Sequence, residues 1–132
     1  MHSIDPSQRN YLPSALRWLE SISSGEYWKL TCDDLALILD DQASNIESLI
    51  QRARTHGKIS QDDELTDKIS LLIQVHKHLS RIVPSKNGVL PIDWFNQSNN
   101  DPLFAGMTIK EYLCTHSPPD SIMKVVAYLS AY

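Results

Sequence analysis

Across residues 61–83, Leu65, Ile69, Leu72, Ile73, Leu79 and Ile82 fall on one stripe of a 3.6-residue helix, and Pro84 stands just beyond its end. That pattern predicts a long amphipathic helix, closed by a residue that cannot continue it. Such a stripe must be buried against other elements, and the rest of the chain offers further helices. No segment alternates apolar and polar residues for long enough to predict a strand. The expected fold class is all-α, a compact multi-helix fold with residues 61–83 as its spine.

The first ten residues are polar and aperiodic, which predicts a loose tail over 1–10. From Tyr11, a first helix carries Tyr11, Ala15, Trp18 and Ile22, with Leu12, Leu16 and Leu19 beside them, up to the break at Ser23-Ser24-Gly25. A second is expected to start at Thr31, which can cap its free amides, with Asp33 and Asp34 favouring the positive end of the dipole. Ser44-Asn45-Ile46-Glu47 reads as a capping box, opening a third helix that stops at Gly57. Residues 84–91, rich in proline and polar residues, predict an internal boundary between a helical module over 11–83 and a smaller one over 84–132. The second module is expected to hold a short helix around Ile92 to Phe95. It then continues with a helix opened by the capping box Thr108-Ile109-Lys110-Glu111, and a last helix from Pro118-Pro119-Asp120 carrying Ile122, Val125, Val126 and Leu129.

With 132 residues, 42% of them hydrophobic and 21% charged, the chain can bury a core without staples. It has no apolar run long enough to cross a bilayer and no secretory leader pattern, so a cytoplasmic protein with no membrane partner is expected. Cys32 and Cys114 fall in different helices without metal-ligand spacing and are expected to be two buried thiols.

The search for chemistry finds little. His76 and His78, two apart on a helix, point to nearly opposite sides and cannot share an ion. His76 lies in line with the apolar stripe, as a hydrogen-bonded core histidine would, while His78 is expected in solvent. The acidic run Asp62-Asp63-Glu64 is explained by the dipole of the long helix. The four glycines are isolated, so there is no phosphate loop, and no local nucleophile motif is present. No catalytic residue, cofactor site, metal site or small-molecule substrate is expected. A binding protein is the favoured class.

Residues 35–56 have the arrangement of a helix-turn-helix. Ala36, Ile46 and Leu49 occupy the small and apolar packing positions, with Asp40-Asp41-Gln42-Ala43-Ser44 as the turn. Its second helix would present Ser44, Asn45, Ser48, Gln51 and Arg52 to DNA, with Glu47 among them. Asp40 and Asp41 stand where such turns usually have glycine and an apolar residue. A net charge of −4 further lowers the expected affinity for a polyanion.

Trp94, Asn99, Leu103, Phe104, Gly106, Thr108, Glu111, Leu113, Val125 and Leu129 follow in order over the last 40 residues or so. In this the C-terminal region resembles the toxin-binding domain of Xre/MbcA/ParS-type antitoxins, which commonly carry an Xre-like helix-turn-helix in front. Ile109 stands where that family often has proline. The resemblance implies a RES-domain toxin as partner, one that consumes NAD or transfers ADP-ribose, with its active site occluded by C-terminal residues of the antitoxin. By analogy the toxin-binding surface here would be Lys124, Tyr128, Ser130, Ala131 and Tyr132. The alternative is a transcriptional regulator that binds operator DNA through the helix-turn-helix, and the two can coexist. A third reading is a solitary relative without a toxin. A homodimer is the expected assembly. Trp94 and Phe95 would anchor the C-terminal module to the long helix, Asn99 would tie its loop, and Gly106 would take a backbone conformation that a side chain hinders.

Overall fold

The computed structural model of the protein describes residues 10–24, 27–82 and 101–131. Among these residues there are six helices and no strand: α1 (Leu12–Ile22), α2 (Cys32–Leu39), α3 (Ala43–Arg54), α4 (Asp63–Ile82), α5 (Ile109–Thr115) and α6 (Asp120–Ser130). None is long and apolar enough to cross a membrane. Residues 1–9 of the expected tail over 1–10, the boundary over 84–91, the helix around Ile92 to Phe95, and Trp94, Asn99 and Tyr132 lie outside the described residues. Asn10, expected in the loose tail, is instead tied down, its side-chain amide donating to the Ile59 carbonyl at 2.8 Å.

The long helix is the centre of the packing, as its stripe predicts. Of that stripe Leu65, Ile69, Leu72 and Leu79 are buried and Ile73 is half-buried, while Val75, outside the stripe as read, is buried as well; α4 packs on α1, α2 and α6. Asp62 caps it, accepting the Leu65 N–H at 3.1 Å, so one member of the acidic run has a directional role as well as a dipolar one. Leu12, Leu16, Leu19 and Ile22 line the inner face of α1. After α1 the chain turns back on itself, the Trp28 and Leu30 amides donating to the carbonyls of Ile22 and Ser23. This seats Trp28, fully buried, in the core from an irregular segment.

Both capping predictions at threonine hold. Thr31 and Asp34 bond reciprocally across the first turn of α2, and Thr108 and Glu111 do the same on α5. The capping box at Ser44 does not form. Gln42 is the N-cap of α3 and Ser44 is already helical, because the Asp41 carboxylate accepts from the Gln42 N–H (2.7 Å) and the Asn45 side chain (2.9 Å) and starts the helix earlier. At the other end, His56 and not Gly57 takes the left-handed conformation, with φ +58. The Gly57 N–H then donates to the Arg52 carbonyl at 2.7 Å, closing the helix end. Gly106 has φ +88, the conformation that disfavours a side chain.

Buried residues of α5 and α6 join those of α1 to α4 in one cluster. Phe104 joins α5 to α6 within it. It is fully buried between the edges of Tyr112 (5.3 Å between ring centroids) and Tyr128 (5.1 Å), from a turn whose residues Leu103 and Ala105 are tied to Asp101. Lys110 pairs with Asp34 at 3.3 Å and fastens α5 to α2. The Asp34 carboxyl is pushed up by partial burial, but hydrogen bonds from Thr31 and Lys110 outweigh this and hold it below its usual value.

Candidate binding surfaces

Helices α3 and α6, which carry the candidate site residues, each combine a buried inner face with an exposed outer one. On α3, Ile46, Ile50 and Ala53 face the core. Ser44, Asn45, Ser48, Gln51 and Arg52 are all exposed, as the helix-turn-helix reading requires. Glu47 is also exposed and, three residues from Ser44 and four from Gln51, borders the same face. It lines a groove on the α1 and α2 side together with Ile50, Gln51 and Arg54. Arg54 is committed to Glu20 of α1, and that carboxylate raises the guanidinium's pKa above its usual value.

The turn that introduces α3 is defined by Asp40, which adopts φ +55 and ψ +58. This is the left-handed conformation for which glycine is usual, and aspartate is among the side chains that tolerate it. The departure seen in the sequence is thus met by conformation. The turn is also held from below. Lys68 of α4, only 8% exposed, donates its ammonium to the Leu39 carbonyl at 2.9 Å and lies 3.5 Å from Glu64. Of the helix-packing residues, Ile46 is buried while Ala36 and Leu49 are half-buried.

On α6, Ile122, Val125 and Leu129 are completely buried, and full burial of each aliphatic side chain contributes about 1.5–3 kcal/mol. The opposite face carries Met123, Lys124, Ala127, Ser130 and Ala131, all exposed. Tyr128 sits at the edge, half-buried, with its ring against Phe104. Lys124, Ser130 and Ala131 therefore share an outer face, and Tyr128 flanks it. Tyr132 lies outside the described residues. Sequence reading passed over Met123, which is 52% exposed, although the helical period that buries Val125 and Leu129 turns it outward.

The remaining residues singled out in the sequence have scaffold surroundings. His76 is half-buried, its ring edge-on to Trp18 (6.1 Å) and Trp28 (6.3 Å). Burial holds its pKa below the ordinary value, and its Nδ1 has no hydrogen-bond partner among the described residues. Its Nε2 is 3.5 Å from the Ser80 hydroxyl, a weaker tie than the hydrogen-bonded core histidine expected. His78 is half-buried instead of exposed, because its Nδ1 takes a contact from Arg81 at 2.7 Å. Cys32 and Cys114 are free and half-buried, less enclosed than expected, since each sits at the margin of its helix contact. Burial first, then neighbouring carboxylates, raises both thiols above their ordinary pKa, which keeps them protonated. Among the described residues no group of three or more His, Cys, Asp or Glu side chains stands together as a metal site would require.

No protein-family model, curated protein or solved structure matches this chain.

Proposed function

We propose that the chain acts by binding, as an antitoxin-like protein that lays α6 over the active site of a RES-type toxin, one that consumes NAD or transfers ADP-ribose. The observation that carries this reading is the outer face of α6. Met123, Ala127 and Ala131 offer a low apolar strip beside Lys124 and Ser130, on a helix fixed from behind by three fully buried aliphatic residues. A rigid helix loses little freedom on docking, so more of its contact energy appears as affinity. Methionine is enriched where proteins meet, and Met123, half exposed, is the side chain of this face that favours a protein partner. The test is co-expression with a RES-domain enzyme encoded in the adjoining reading frame, following growth and cellular NAD. Met123→Glu with Lys124→Glu is expected to abolish protection while leaving the melting temperature within a few degrees. Full protection by the folded double variant would refute the reading.

A second reading, DNA binding by α3, is favoured by the left-handed Asp40 turn and by the shared exposure of Ser44, Asn45, Ser48, Gln51 and Arg52. With one cation on that face, specific binding to operator DNA would be weak in salt dependence. Arg52→Ala is expected to reduce retention of the protein's own promoter at low salt. Equal retention of promoter and random duplex by the unaltered protein would count against it.

A further inference from the structure

Beside α3, a groove of about 470 Å³ opens between the C-terminal end of α1, the start of α2 and α3 itself, within the usual size range of small-molecule sites. Its floor is apolar, formed by Leu35, Ile50 and the half-buried Cys32 side chain. Its charged rim is Glu20, Arg54 and Glu47. Glu20 and Arg54 neutralise one another as an ion pair. Glu47 makes no ion pair with any described residue, although it is one helical turn from Gln51 and faces the same recess. Its field reaches the floor: after burial, the Glu47 carboxylate and then Asp33 are what push the Cys32 thiol up. The protonated sulfur is thus a piece of apolar surface and not a nucleophile. An anion would meet this uncompensated negative field, and a neutral apolar molecule would leave the Glu47 carboxylate unused.

We propose that the groove between α1, α2 and α3 binds a small organic amine, its alkyl or aryl body on Leu35, Ile50 and Cys32 and its ammonium on the Glu47 carboxylate. This site is separate from the outer face of α6 and shares only Gln51 with the outer face of α3, and it does not depend on either functional reading. Because Glu47, Ile50, Gln51 and Arg54 form one stripe of α3, an occupant would lie against the helix without covering Ser44 or Ser48.

The experiment is an amide-shift NMR titration of the full chain with phenethylamine and with 3-phenylpropionate, a probe of similar shape and opposite charge. The amine is expected to shift the Cys32, Glu47 and Ile50 amides and to bind at least about tenfold tighter than the carboxylate, the scale of one charge-assisted contact. Glu47→Gln should erase that preference. Asp67→Asn, an exposed change of the same net charge on α4, should retain it. Equal binding of the two probes, no binding of the amine at about 10 mM, or an equal loss in both variants would overturn the proposal.

Discussion

On α3, Ser44, Asn45, Ser48, Gln51 and Arg52 stand over a base of Ile46, Ile50 and Ala53, whereas on α6, Met123, Lys124, Ala127, Ser130 and Ala131 stand over Ile122, Val125 and Leu129. The anchoring is the same and the outward chemistry differs. Every outward side chain named on α3 can give or accept a hydrogen bond, so a partner must match it group by group or leave polar atoms stranded. The strip on α6 is small and apolar, and asks of a partner shape before polarity. The two proposed surfaces would therefore suit different kinds of partner, although one core supports both.

That common core can be broken at Phe104. Phe104→Ala removes a fully buried ring on which Tyr112 and Tyr128 rest, and a loss of about 3–5 kcal/mol is expected. Hydrogen exchange should show α3 and α6 amides losing protection together, because both helices feed one cluster. Loss confined to α5 and α6 would mean that the two surfaces belong to separately stable units.

Lys68 sharpens the comparison on the α3 side alone. Lys68→Met keeps the stem but strands the Leu39 carbonyl, a cost of about 1–3 kcal/mol. The exposed Glu64 partner adds little to that figure. Shifts in an amide spectrum are expected around Asp40 and the start of α3, with α6 unmoved. A variant as stable as the parent in urea would show that water replaces the ammonium there.

The elements that the sequence made legible are those decided within one helical turn. Thr31 with Asp34 and Thr108 with Glu111 need only each other, and the stripes of α1, α4 and α6 need only the helical period. Ser44 misled because Asp41, outside the four-residue motif, competes for the start of α3. Trp28 and Lys68 were illegible for a different reason. Trp28 sits in an irregular segment that has no period, and a lysine becomes buried only if a distant carbonyl, here Leu39, is free to receive it. For the surfaces, exposure of the α3 face follows from periodicity, while the groove lined by Glu47 and Gln51 depends on where α1 and α2 pack.

His76 offers a change that acts on the α1–α4 contact through pH. Burial places its folded-state pKa below the unfolded value of 6.5, so below that pH the unfolded chain binds more protons than the native one. Its contribution is therefore complete above pH 6.5 and is lost as pH falls from there toward the lowered folded pKa. The unfolding free energy of the parent should drop faster over this window than that of His76→Gln, measured by urea titration at each pH. Parallel curves would show that His76 carries its proton without cost beside Trp18 and Trp28.

The smallest expected effect lies at Asp40 and separates the two roles open to α3. The residue holds φ +55 at the C-terminal end of α2, where its charge meets the negative end of the helix dipole. Asparagine tolerates the same conformation and removes that repulsion, so Asp40→Asn is expected to stabilise the protein by about 0.3–1 kcal/mol. Alanine removes the same charge but lacks that tolerance, so Asp40→Ala should be about 1 kcal/mol less stable than Asp40→Asn. Equal melting temperatures of the two variants would mean that the turn is not held in the left-handed conformation. Asp40→Asn also removes one negative charge from the turn that leads into α3. If α3 meets phosphates, the folded asparagine variant should hold promoter DNA more strongly at low salt than the parent, and the gain should vanish as salt is raised. If α3 is a structural helix, stability should rise and DNA retention should stay where it was.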